Sequence, residues 1–222
     1  MNREKNIPDR ADTFLKTTNK EDKIAIIHDS DPDGVCSAVI LSKIIERIRG
    51  RPADAHMPLQ KKRITQNILN EIEHIGATKV IIADYSADQQ YEELKKLSKS
   101  AEILVVDHHK VYKKINDDKI TVYKPQFFST IDPSKYCTAK LAYDAAERLG
   151  TQKGLDWIAA IACIADIATE PFTNWIQEVY KNYGIEPKDD PFETLLGKLA
   201  SAITYSEVYN PKLISECYDI LY

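Results

Sequence analysis

The chain has 222 residues, 43% of them hydrophobic and 29% charged, with 30 basic against 34 acidic residues for a net charge of −4. That length is ample for a full core, and the composition excludes an extensively disordered chain. The slightly acidic balance excludes a broad cationic face, so any contact with nucleic acid has to be local.

In chain order, Ala11, Phe14 and Leu15 have the i, i+3, i+4 spacing of a short amphipathic helix that starts near Pro8 and is complete by Lys20. Ile24-Ala25-Ile26-Ile27 is a buried-strand run that breaks into Asp29-Ser30-Asp31-Pro32-Asp33-Gly34, after which Val35 to Ile48 repeats apolar residues at helical spacing. Gly50-Arg51-Pro52 stops that helix. An extended segment, Ala53 to Leu59, then leads to the basic triplet Lys61-Lys62-Arg63. Ile64 to Ile75 is a second helix, closed by Gly76.

Lys79 to Ala83 is a strand run ending on Asp84, and Tyr91, Leu94 and Leu97 mark a third helix. Ile103 to Val106 is another strand run, ending in Asp107-His108-His109-Lys110, and Thr121-Val122-Tyr123 is a further short strand before Lys124-Pro125. From Tyr136 the pattern is helical, over 136–149, 155–168, 172–183, 191–208 and 211–222, with Gly150, Gly154, Gly184 and Pro187 between segments. The order predicts an α/β fold, a parallel sheet flanked by helices on both faces with a helical C-terminal layer.

Three strand runs therefore end on acids, and in a parallel sheet the carboxyl ends of the strands line one crevice. Asp29, Asp31, Asp33, Asp84, Asp107, His108 and His109 are expected to converge there. Acids so close together repel one another unless a cation neutralises them, and imidazoles among the carboxylates shift the preference from Mg²⁺ towards Mn²⁺. The competing reading of the first cluster is a polar turn in which Asp31 or Asp33 caps the following helix. The four cysteines form no C-x-x-C pair and are expected as buried free thiols. No stretch approaches 18 apolar residues, and Met1 to Phe14 lacks a signal-peptide core, so a cytoplasmic protein is expected.

The D-x-D-x-D-G motif at Asp29 to Gly34, the strand-end Asp84, and Asp107-His108-His109 after an aliphatic strand resemble the signature of the DHH phosphoesterase superfamily, within it the RecJ-like single-strand exonucleases and their archaeal relatives. Tyr136 to Ala142 is similar to the small-residue helix of that family, and Ile164-Ala165-Asp166-Ile167-Ala168 to its fourth motif, an aspartate in an apolar helix. The resemblance covers residues 20 to 170. It implies two divalent ions, Mn²⁺ first and Mg²⁺ second. Asp29 and Asp31 would hold one, Asp33, His108 and Asp166 the other, and Asp84 would bridge them, with Asp107 orienting a ligand imidazole. His109 is at the position that contacts the scissile phosphate, and Lys110 beside it is the best placed cation for substrate.

The expected activity is hydrolysis of single-stranded DNA or RNA, within a replication or repair setting. Two alternatives are hydrolysis of small phosphates, such as oligoribonucleotides, cyclic dinucleotides or nucleotide 3′-phosphates, and a non-catalytic replication subunit. The domain expectation is an N-terminal helix at 1–20, a catalytic domain at 21–170, and a helical extension of it at 171–222. The family's second domain, with its glycine-rich histidine motif, is expected to be absent, since no two glycines are adjacent and His109 is the last histidine. Secondary candidates are Lys61, Lys62, Arg63, Lys113 and Lys114 for phosphates, Tyr85 or Tyr112 for stacking bases, and His28 as an alternative ligand. Strand alternation points His28 away from the acids, and His56 and His74 have no motif partners.

Overall fold

Strands rich in Ile, Val and Ala with no polar alternation are built to be covered on both faces. In the computed structural model, which describes residues 7–59, 62–115 and 117–222, they form one parallel sheet. Its strands are β1 (Ile24–His28), β2 (Ala55–Pro58), β3 (Lys79–Ala83), β4 (Glu102–Val106) and β5 (Ile120–Tyr123), in the order β2-β1-β3-β4-β5.

Ile24, Ile26, Ile81 and Leu104 face a larger core formed with α1 (Ile7–Lys16), α2 (Pro32–Arg49), α5 (Thr138–Arg148), α6 (Asp156–Ala165), α7 (Thr173–Tyr183), α8 (Leu195–Tyr209) and α9 (Leu213–Leu221). Their neighbours Ala25, Ile27, Val80, Ile82 and Ile103 face a smaller core under α3 (Gln66–Ile75) and α4 (Tyr91–Leu97). The chain leaves β1 across one face and returns to β3 from the other, so the sheet reverses its winding between β1 and β3. That is where sheets of this kind open a crevice.

Register decides what lines the crevice. His28 pairs with Ala83, Ala83 with Val106 and Val106 with Tyr123. The next residue of each strand, Asp29, Asp84, Asp107 and Lys124, therefore falls in one row along the sheet edge. Backbone bonds from Asp29 N to Ala83 O, Asp84 N to Val106 O and Asp107 N to Tyr123 O extend the ladder into that row.

The β1–α2 turn is tight. Pro32 opens α2, and Asp31 caps it by accepting from Gly34 N at 2.9 Å. A Cβ on Gly34 would lie 2.3 Å from Asp29 O, so only glycine lets the helix start this close to the strand end.

Among the helix boundaries that differ from the sequence expectation, two bear on the site and the C-terminal layer. The helix over 155–168 ends at Ala165, leaving Asp166 as its C-cap rather than an interior residue. Ala168 N returns to Cys163 O and Ile167 takes φ +52°, so a β-branched residue fills the left-handed position that helices normally give to glycine. The helix over 191–208 starts at Leu195, after a single 3₁₀ turn at Pro191–Glu193. Among the described residues no helix is long and apolar enough to cross a membrane.

Gly34→Ala forces α2 away from Asp29. Overpacking of this kind costs about 1–3 kcal/mol, which for a chain of this size is a fall of roughly 2–12 °C in Tm by thermal melt.

Candidate metal centre at the carboxyl ends of the strands

Three groups of donor atoms meet at the edge row, each with its atoms within 4.8 Å of one another: Asp29, Asp31 and Asp84; Asp33, His108 and Asp166; and Asp84, His108 and His109. All the residues expected to hold ions are therefore brought together. Asp107 belongs to none of the groups.

Each side chain is aimed by the fold. Asp33, in the first turn of α2, accepts from Thr138 N and Ala139 N at 2.7 Å each. Its carboxylate thus closes the positive N-terminus of α5, whose own cap residue, Cys137, makes no side-chain cap bond. Thr138 Oγ1 also donates to Asp84 at 2.9 Å, which makes the start of α5 a common anchor for two acids. Asp84 has φ +57°, a left-handed conformation that Asp and Asn adopt far more readily than other side chains.

His108 Nδ1 donates to Pro133 O at 3.2 Å. A carbonyl can only accept, so in the neutral ring Nε2 carries the lone pair. Nε2 lies 3.5 Å from Asp84, 3.5 Å from Asp166 and 3.9 Å from Asp33.

Asp107 orients His109 rather than His108. Its Oδ1 accepts from His109 Nδ1 at 2.7 Å and from His109 N at 3.1 Å. The hydrogen bond that His109 donates to Asp107 raises the imidazole above its ordinary value against the effect of burial. This favours the imidazolium, with Nδ1–H committed and Nε2–H open.

The electrostatics fit a cation. Burial first pushes Asp33 and Asp84 well above the usual carboxylate range, followed for Asp33 by Cys137 and Asp166 and for Asp84 by the charges of Asp33 and Asp31. Asp166 is raised to about 7 by burial and the charge of Asp31, and Asp29 is raised by the same two causes. Buried like charges, together with an imidazole lone pair facing carboxylates, are strained as they stand and satisfied by a hard divalent ion. Carboxylate oxygens mixed with one or two imidazole nitrogens suit Mn²⁺ or Mg²⁺.

Sequence reasoning missed the device that holds the Asp107–Lys114 segment. Lys124 is fully buried, its Nζ 2.6 Å from Asp107 Oδ2 and 3.6 Å from Asp88 Oδ1, and it donates to the carbonyls of His109 and Lys110 at 3.1 and 3.2 Å. Burial alone would raise Asp107, but His109 and Lys124 outweigh it and hold the carboxyl at about 2. Gln126 Nε2 donates to the carbonyls of His108 and His109 at 2.9 Å, and Asp88 accepts from the backbone of Tyr112 and Lys113. The available signal was register, because Lys124 follows a strand end just as the acids do.

The other expected residues separate clearly. Lys110 lines a cleft of 780 Å³ together with His108, His109, Lys114, Phe127 and Ser134. Lys62 Nζ sits 3.0 Å from Asp29 Oδ2, Arg63 is exposed, and Lys61 lies outside the described residues. Tyr85 is buried with its hydroxyl on Gln90, whereas Tyr112 is exposed. His28 turns away from the acids into a ring stack with His56 and Tyr218 of α9. His74 is exposed on α3.

Comparison with known proteins matches this arrangement to a family. The sequence fits the DHH family, N-terminal domain, over residues 23–169. The chain belongs to the DHH family. Solved structures with the DHH fold include an exonuclease RecJ bound to manganese (TM-score 0.63, 23% identity, 95% of this chain and 54% of that one). RecJ from Thermus thermophilus in complex with Mn²⁺ has TM-score 0.56 and 24% identity over 73% of this chain and 24% of that one. CDC45 from Entamoeba histolytica has TM-score 0.56 and 17% identity over 82% of this chain and 38% of that one. The chain thus spans about half the length of the first and a quarter of the second. No curated protein sequence matches it significantly.

Lys124→Met leaves Asp107 as a buried charge without its ammonium, which typically costs about 3–5 kcal/mol. Chemical denaturation should show that loss. Adding Asp107→Asn to Lys124→Met should recover part of it, because the orphaned charge is gone.

Proposed function

We propose that the chain is a divalent-metal-dependent phosphodiesterase that hydrolyses single-stranded nucleic acid. One observation carries this reading: three overlapping groups of acids and imidazoles, built on the buried Asp29, Asp33 and Asp84 at the strand ends and opening beside the more exposed His109 into the cleft.

Asp29 and Asp31 would hold one ion and Asp33, His108 and Asp166 the second, with Asp84 within reach of both. His108 brings a nitrogen donor, which places Mn²⁺ ahead of Mg²⁺. Such ions, when bound, polarise a phosphoryl oxygen and supply a nucleophile at neutral pH. The chain's own groups then do the rest. Pro133 O fixes the His108 tautomer so that Nε2 faces the acids. Asp107, itself locked by Lys124, fixes His109 so that its open Nε2–H donates to an oxygen of the scissile phosphate. Lys110, exposed at the cleft, adds positive charge where the diester's anion arrives.

Support for a polymeric substrate comes from the D-x-D-x-D-G form of the first motif and from the open cleft. A non-catalytic role sits poorly with donors filled at every expected position. Membership of a replication or repair complex is compatible with this activity.

Metal binding is tested by melting. Mn²⁺ at about 100 times its Kd adds about 2.7 kcal/mol, a rise of roughly 5–10 °C in Tm that a chelator reverses. Asp84→Asn keeps the left-handed turn and the Thr138 bond while removing charge. It should raise the metal-free Tm and abolish the Mn²⁺ response.

Activity is tested on single-stranded DNA and RNA oligomers labelled at either end, with a cyclic dinucleotide in parallel. Progressive shortening with Mn²⁺, reduced at least about a hundredfold in Asp84→Asn and His108→Ala, supports the proposal. Cleavage of the dinucleotide alone moves the reading to small phosphates.

A further inference from the structure

The segment after His109 leaves the metal centre as Lys110-Val111-Tyr112-Lys113-Lys114, three lysines with no acid among them in a chain of net charge −4. Lys110 and Lys114 line the cleft beside the two histidines. Tyr112 is 57% exposed, although an aromatic ring ordinarily gains most by burial. Its exposure does not come from a slack loop. Asp88, buried under the segment, accepts from both Tyr112 N and Lys113 N, and Asp88 is tied through Lys124 to Asp107.

The ring is therefore held outward by the same buried cluster that positions His109. Lys110 Nζ lies 5.7 Å from the centre of the Tyr112 ring, and Lys113 Nζ lies 3.9 Å above Tyr91 of α4 with Lys95 Nζ at 5.3 Å from the same ring. Cations and rings alternate outward from the cleft: Lys110, Tyr112, Lys113, Tyr91, Lys95.

Alternation of ammonium groups with flat apolar faces is the chemistry that accommodates a single-stranded polynucleotide, since the cations meet phosphates and the rings meet bases without regard to sequence. We infer that this strip is the track along which the strand leaves the metal centre, with Tyr112 as the stacking platform for the base next to the scissile linkage and Lys113 as a phosphate contact. The inference rests on the phosphodiesterase reading and adds to it a substrate several nucleotides long that crosses the α4 side of the molecule. A small cyclic or mononucleotide substrate would end in the cleft and never reach Tyr112. The rigid mounting matters here, because a preorganised ring loses little freedom on binding.

The test is fluorescence anisotropy of a labelled oligothymidylate of about 12 nucleotides, within the span such single-strand sites cover, in an Asp84→Asn background that suppresses turnover, over a range of salt. Tyr112→Ala should weaken binding about tenfold with an unchanged salt slope, and Tyr112→Phe should restore it, because stacking needs the ring and not the hydroxyl. Lys113→Ala should lower the slope of log K against log salt by about 0.7, the share of one phosphate on a single strand. Unchanged affinity and slope in both variants, while the unsubstituted protein shortens the same oligomer, would overturn the track and leave the proposed activity intact. Equal loss with Ala and Phe would overturn the stacking role. Absence of both binding and shortening by the unsubstituted protein would overturn the track together with the activity.

Discussion

Everything at the carboxyl edge of this sheet is arranged around the repulsion of carboxylates held together away from water. Asp29, Asp33 and Asp84 are nearly inaccessible, and like charges at such range cost far more in a low-dielectric setting than at a surface. The fold tolerates them by supplying backbone donors. Asp33 is met by the first amides of α5, Asp31 by Gly34 N, and Asp29 by Ser30 N. What those bonds and the Lys62 ammonium on Asp29 leave unbalanced is the remaining charge, and in the proposed centre that unfavourable energy would become metal affinity once a divalent ion is present. The acids weaken the empty protein in the same measure as they favour the loaded one.

A second arrangement runs alongside the first and follows a different logic. The Asp107 carboxylate joins none of the three donor groups. It is neutralised internally by Lys124 and turns its remaining capacity to His109. The sheet edge thus carries strand-end acids of different standing: Asp107 is matched by the buried Lys124, Asp29 by the exposed Lys62, and Asp84 faces the two imidazoles. Separating them keeps the His109 imidazole in place whether or not the ions are bound.

Much of this was legible in the sequence. Unbroken aliphatic runs ending on Asp29, Asp84 and Asp107 announce parallel strands whose acids converge, and parallel register does the remainder, since His28, Ala83 and Val106 align. The helix carrying Asp166 was read too long because its stop signal is missing, Ile167 standing in a left-handed conformation where glycine would have marked the end. Lys124 escaped for a related reason. A lysine is by default a solvent-facing residue, and nothing local distinguishes one that is buried. Only its place in the edge row, one residue beyond Tyr123, singles it out. Which tyrosine is available to solvent, Tyr112 or Tyr85, depends on tertiary packing and has no counterpart in spacing or composition.

The bond between Asp33 and the start of α5 joins positions 105 apart in the chain. It makes one carboxylate serve as a helix cap and, in the proposed centre, as an ion ligand, so architecture and chemistry would be lost together there. Asp166, the C-cap residue of α6, has no comparable side-chain bond to a helix N-terminus among the described residues. In a lineage that had lost the proposed hydrolysis, residues such as Asp166 would be free to vanish early, while Asp33 would persist as a relic kept by folding alone. An intact Asp33 in a distant homologue is therefore a poor witness to activity, and the acid at the position of Asp166 a better one.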